Sequence, residues 1–131
     1  MKLIVIFIFL FVGILLIKEQ TFKASDKMTY EQALVLSKEH NKSIMLKLTA
    51  ENCKYCIKMD KEVLANPEVE QFLFKHFISV TINVDREVVP LGIEHNITPT
   101  FIFVNKDEEI LSKLPGSWNK KDFMDLLNNR I

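Results

Sequence analysis

Beyond an unbroken apolar run at Leu3 to Ile17, the chain breaks into short segments whose hydrophobic spacing alternates between the helical and the extended period. Thr29-Tyr30-Glu31-Gln32 has the form of a capping box, and Ala33, Leu34 and Leu36 then give an apolar face ending near Asn41, which predicts a first helix. Ser43 to Leu48 alternates loosely between turn residues and reads as a strand. A second helix is expected from Cys53 to about Leu64. Asn66-Pro67-Glu68 supplies an N-cap, a proline at the first helical position and an early acid, with Val69, Phe72 and Leu73 at helical spacing, so that helix is kinked or broken. Phe77 to Val84 places Ile78, Val80, Ile82 and Val84 on one face and Ser79, Thr81 and Asn83 on the other, as in a strand.

Asp85 to Asn96 is interrupted by Pro90 and Gly92 and reads as a short helix plus loop. Thr98-Pro99-Thr100-Phe101-Ile102-Phe103-Val104 sets a proline directly before a buried apolar run, where a strand tolerates the missing donor. Asn105-Lys106-Asp107 turns into Glu109 to Leu114, so the last two strands form a hairpin that Pro115-Gly116 ends. Asn119 caps a final helix, with Asp122 at its third position and Phe123, Leu126, Leu127 and Ile131 on one face. The order is α, β, α, β, α, β, β, α, an α/β fold. Phe72, Phe74, Phe77, Phe101 and Phe103 are expected in the core, and Trp118 at its rim.

The N-terminal run follows Met1 and Lys2 in the n-region and h-region layout of a secretory signal. At about 1.5 Å per residue it spans roughly 22 Å, less than the roughly 30 Å of bilayer hydrocarbon. Lys18 to Ser25 lacks a pair of small residues suited to a signal peptidase, which favours an uncleaved anchor over a cleaved signal. Lys18, Lys23 and Lys27 follow the run against a lone Lys2 before it, opposite to the positive-inside bias, so the exported reading rests on the layout. Residues 1–25 are expected to be a signal peptide or membrane anchor plus linker, packing little against one domain over 26–131.

With 131 residues, 48% of them hydrophobic and only three glycines, the chain has room for one real core and is not low-complexity. Lys+Arg and Asp+Glu both number 17, so no net field recruits nucleic acid. His40, His76 and His95 are scattered without metal-ligand spacing, and Ile57 stands where covalent haem attachment needs a histidine.

The candidate chemistry lies at Cys53-Lys54-Tyr55-Cys56, the two cysteines being the only ones present. A cysteine on the first turn of a helix meets unpaired N–H groups and the positive end of the dipole, which favour a thiolate. A second cysteine three residues on shares its face, within reach to close or open a disulfide. The spacing permits thiolate attack, a mixed disulfide and release by the neighbouring thiol. Half a zinc site has the same spacing, so the flanks decide.

Those flanks are the strand into Cys53, the strand ending at Val84-Asp85, Ile97-Thr98-Pro99-Thr100-Phe101, the hairpin, and Leu114-Pro115-Gly116 before the last helix. Together they resemble the thioredoxin superfamily over roughly Thr29 to Ile131, and within it the small exported thioredoxin-like proteins of the SoxW and thioredoxin-related periplasmic group. The resemblance implies a thioredoxin fold, a central mixed sheet flanked by helices. It implies that Pro99 is a cis-proline facing the cysteines and that Thr98 offers its backbone to an extended substrate peptide. Two positions depart from the pattern: Asn52 stands where thioredoxins usually carry Trp, and Lys47 where they carry a buried acid. Lys47 is a candidate modulator, as a charge beside the thiolate or as a stem buried under a surface ammonium, and Lys54 and Tyr55 are candidates to tune reactivity and contact partners.

The expectation is an extracytoplasmic thiol:disulfide oxidoreductase, periplasmic or secreted and held at the inner membrane by residues 3–17 if these are uncleaved. Cys53 attacks, Cys56 resolves, and Thr98 with Pro99 forms the substrate platform. No cofactor is expected beyond the Cys53–Cys56 disulfide, no metal site and no nucleic acid. The expected partners are protein thiols or disulfides and a redox partner, with the chain acting as a monomer. The alternatives are a redox-inert module of the same fold that binds a peptide or protein, and a copper- or zinc-binding thiol protein.

Overall fold

The computed structural model describes residues 27–131, so the expectations for the signal or anchor segment and its lack of packing fall outside the described residues. The elements are α1 (Tyr30–His40), β1 (Ser43–Thr49), α2 (Lys54–Met59) continuing into a π-helical segment (Asp60–Leu64), α3 (Pro67–His76), β2 (Phe77–Asn83), a 3-10 turn (Pro90–Gly92), β3 (Thr100–Val104), β4 (Ile110–Pro115) and α4 (Lys120–Asn128). One sheet of four strands runs β2-β1-β3-β4, with β1 parallel to β2 and antiparallel to β3, and β4 antiparallel to β3. Among the described residues no helix is long and apolar enough to cross a membrane.

The local signals act where the spacing places them. Thr29 accepts from the Gln32 N–H, and the Gln32 side chain accepts from the Thr29 N–H, closing the capping box of α1. Asn66 caps α3 ahead of Pro67, and Asn119 caps α4 through the Asp122 N–H. At the end of α1, Asn41 takes the left-handed conformation (φ 51°) that asparagine tolerates better than most residues.

Because helices pack against both sides of the sheet, β1 and β3 bury both faces. Ile44, Leu46 and Leu48 join Val80, Ile82, Ile102 and Val104 under α1, whereas Met45 joins Met59, Val63, Val69, Phe101, Phe103, Phe123 and Leu127 on the opposite face. Each period-2 alternation thus feeds two cores.

Several expectations change. The helix after Cys53 widens to π-turns from Asp60, with the Ala65 N–H reaching the Asp60 carbonyl. The buried line of α1 is Tyr30, Ala33 and Ser37. The Ser37 hydroxyl, which donates to the Lys42 carbonyl at 2.5 Å, fills the position that Leu36 was expected to share. Phe74 is exposed, because the inward face of α3 is set by Val69 and Leu73 and one helix cannot turn three consecutive residues inward. Ile131 lies past the end of α4 and is exposed. The helix expected between Asp85 and Asn96 is only the 3-10 turn at Pro90–Gly92.

Two substitutions probe this frame. The Tyr30 hydroxyl donates to Glu108 at 3.2 Å, and burial together with the Glu108 charge pushes its pKa up to about 12 from 10.0. The folded state therefore favours the neutral phenol. This contribution to stability is complete below about pH 10 and is lost as pH rises from there through about 12. Urea midpoints measured across that window should fall, and the Tyr30→Phe variant should fall less steeply. Gly116 has φ +94° and donates its N–H to the Pro99 carbonyl at 2.8 Å, with no atom within 4 Å of where a Cβ would stand. Gly116→Ala should thus cost about 1–2 kcal/mol through backbone strain alone, read as a lowered urea midpoint at unchanged slope.

Candidate active site

The pairing of β1 with β3 assembles the site. Leu48 faces Thr100 in antiparallel register, so the chain leaving β1 towards Cys53 and the chain entering β3 through Thr98 and Pro99 meet at one end of the sheet. From Thr49 the backbone turns through Ala50, Glu51 and Asn52. Asn52 is left-handed (φ 55°), and the Glu51 N–H is held by the Asp85 carboxylate at 2.7 Å, just beyond β2. Glu51 also pairs with Arg86. The loop is thereby tied to the neighbouring strand before it delivers Cys53.

Cys53 is the N-cap of α2, and its sulfur accepts from the Cys56 N–H at 3.1 Å. Cys53 and Cys56 are joined in a disulfide, S–S 2.11 Å with Cα atoms 5.2 Å apart. The two sulfurs differ in surroundings, Cys53 being partly exposed and Cys56 buried. Cys53, partly exposed at the helix start, is the cysteine that an external thiol or disulfide can reach.

Thr98 and Pro99 face it. The peptide bond between them is cis, Pro99 is buried and Thr98 half-buried. The Thr98 hydroxyl donates to the Cys53 sulfur at 3.4 Å, and the Thr98 carbonyl oxygen lies 3.6 Å from that sulfur, placed to accept from a reduced thiol. The loop is fixed from behind by Gly116 on Pro99 and by the Thr100 hydroxyl, which donates to the Ile97 carbonyl at 2.7 Å. Gly116 therefore holds the Pro99 loop as well as ending the hairpin. Trp118 packs against the core on this side, its backbone N–H on the Met59 sulfur at 3.5 Å.

Lys54 and Tyr55 are exposed between the cysteines. Lys47 is buried with its ammonium 2.5 Å from an Asp60 carboxylate oxygen, so the stem is covered as one expectation held, but the charge ends on a partner at the helix and not free at the surface. Asp60 was missed from sequence; its position four residues after Cys56, one turn along the same helix face, was the available signal. Among the described residues no group of histidines, cysteines and carboxylates is arranged to hold a metal ion. The arrangement is competent for thiol–disulfide exchange: an accessible sulfur at a helix start, a second sulfur bonded to it, and a backbone edge alongside.

Comparison with known proteins agrees with this geometry. A thioredoxin from Thermus thermophilus is 30% identical to this chain, covering 77% of it and 82% of that protein, with a TM-score of 0.64. The periplasmic thioredoxin SoxS from Paracoccus pantotrophus shares the fold at 20% identity and a TM-score of 0.55, over 67% of this chain and 94% of that one. Anterior gradient protein 3 of Mus musculus is 24% identical over 93 residues, 71% of this chain, which spans 56% of that relative's length. The model of the thioredoxin-like domain family matches residues 30–131, and the chain belongs to that family.

Proposed function

We propose that this domain is an extracytoplasmic thiol:disulfide oxidoreductase acting on cysteines of other proteins. The observation that carries the reading is the partly exposed Cys53 at a helix start, its sulfur bonded to buried Cys56 and flanked by the Thr98 hydroxyl. Cys53 is the attacking thiolate and Cys56 the resolving thiol. In the reducing direction, the Cys53 thiolate forms a bond to one sulfur of a substrate disulfide, and the other substrate sulfur leaves as a thiolate and takes a proton. Cys56 then gives up its proton and attacks the Cys53 sulfur, which re-forms the Cys53–Cys56 bond and releases the second substrate thiol. The oxidising direction is the reverse. In both, two electrons pass between the domain and its substrate, and a separate dithiol or disulfide partner resets the domain. No bound cofactor takes part.

The Thr98 backbone pairs with an extended stretch of substrate, in the manner of strand addition, with Pro99 keeping the edge beside the sulfur. Lys54 and Tyr55 touch the partner. Residues 1–25 form the export signal or membrane anchor ahead of the domain at 26–131. The apolar run at Leu3 to Ile17 and the fold shared with a periplasmic thioredoxin support a periplasmic or secreted site of action. The domain works as a monomer.

The two cysteines should separate by mutation. Cys56→Ser keeps the attacking thiol and loses only resolution, so it should accumulate mixed disulfides that disappear on adding reductant, whereas Cys53→Ser should trap almost none. Non-reducing electrophoresis of the full chain expressed in bacteria reads the difference directly. The reduced wild type should also catalyse reduction of insulin disulfides. Equal trapping by both variants, or by neither, together with no insulin reduction, would replace this reading with a redox-inert peptide-binding module.

A further inference from the structure

A charge pair joins β1 to the helical segment that follows Cys56. Lys47 occupies the middle of β1, between Thr81 of β2 and Phe101 of β3. By strand alternation its side chain leaves on the face of Met45, where the segment following Cys56 packs through Met59 and Val63. An ammonium in such a place is costly unless it is paired. Its partner comes from that helical segment: Asp60, half-exposed, with a carboxylate oxygen 2.5 Å from the Lys47 nitrogen. The Asp60 N–H bonds the Cys56 carbonyl, which places the carboxylate one turn beyond the buried sulfur on the same face. The π-helical segment starts at this residue, and such local widening is frequent at functional sites.

His40, Lys42 and Glu70 line, together with Lys47, a groove of about 610 Å³ along β2. Lys42 is engaged with the Phe74 carbonyl at 3.1 Å. On the helical segment itself, Lys54, Lys58, Lys61 and Glu62 are exposed, and Lys58 faces Glu62 at 4.0 Å. Lys47 and Asp60 are thus the charged pair joining the strand under the site to the helix that carries Cys56.

We propose that Lys47 and Asp60 are positioning charges that set the redox balance of the Cys53–Cys56 couple by opposing one another. This rests on the oxidoreductase reading above. The ammonium stabilises negative charge on the reduced dithiol and so favours the reduced form; the carboxylate disfavours it. The pair as built holds the couple between the two extremes that either charge alone would produce.

The test is equilibration of purified full-length protein with mixtures of reduced and oxidised glutathione at pH 7. Two glutathione thiols reduce one Cys53–Cys56 disulfide and become one glutathione disulfide, and the thiols formed are counted after acid quenching and alkylation. Lys47→Met, which keeps the apolar stem, should shift the equilibrium about tenfold towards the disulfide, a potential about 30 mV more reducing. Asp60→Asn should shift it by a similar factor towards the dithiol, and the double variant should return to within about threefold of wild type. Lys47→Gln serves as the second lysine variant where Met does not fold. A merely structural pair would lower the stability of both single variants without moving their equilibria in opposite directions. Shifts of the same sign, or no shift beyond twofold in a wild type that equilibrates normally, overturn the charge-pair inference alone. A wild-type couple that never equilibrates with glutathione overturns the oxidoreductase reading as well.

Discussion

The antiparallel register between β1 and β3 is the constraint on which the rest of the site depends. With Leu48 opposite Thr100, the strand that launches Cys53 ends beside the strand that Thr98 and Pro99 begin, and two segments 45 residues apart meet at one sulfur. A slip of one residue would exchange the faces of every side chain on β1. Ile44, Leu46 and Leu48 would leave the core under α1, and Lys47 would turn away from Asp60. The two cores hold this register because both faces of the central strands are buried, so no slipped pairing keeps the apolar sets covered. Packing of the sheet itself brings the two halves of the site together.

The loops then add what packing does not specify. Asn52 reverses the chain with a positive φ, and Asp85 and Arg86 tie Glu51 to the end of β2. Gly116 reaches from the end of β4 to the Pro99 carbonyl. Each tie joins a neighbouring strand end to one of the two active segments, and both active segments are consequently fixed relative to the sheet. Cys53 can then present its sulfur on a short helical start whose orientation is set from outside the helix.

Local chemistry was legible in the sequence, and distance was not. The capping box at Thr29, the Asn66-Pro67 start, the Asn119 cap, the alternation in β2 and the spacing of Cys53 and Cys56 are interactions within a few residues, so their residue types announce them. Phe74 is exposed although its hydrophobicity predicts burial, because the helical period leaves room inward for only Val69 and Leu73 with Phe72 at the margin. Ser37 is the converse: a hydroxyl can enter a core once it has an acceptor, here the Lys42 carbonyl. The resemblance identified Lys47 as an unusual residue at its position, but its partner lay 13 residues along, across the turn that carries both cysteines. The spacing of Asp60 four residues after Cys56 marks only a shared helix face; its pairing with Lys47 exists only when β1 and the following helix have packed.

That pairing also bears on why a lysine is there at all. For stability, an apolar side chain of similar length in the same place would avoid desolvating an ammonium, and replacing ion pairs in this way is often neutral or favourable. Asp60 softens the cost by remaining half-exposed, so only Lys47 is taken largely out of water. What the lysine contributes and an apolar residue cannot is a charge fixed by the central strand, aimed at the helix that holds the buried sulfur. A carboxylate alone at either position would oppose a thiolate; an ammonium alone would favour one without limit from the fold. By placing one of each at hydrogen-bond distance, the structure keeps the local field small and its sign dependent on which partner lies nearer the dithiol. The pair pins the helix to β1, and under the charge-pair proposal the same two residues serve folding and chemistry together.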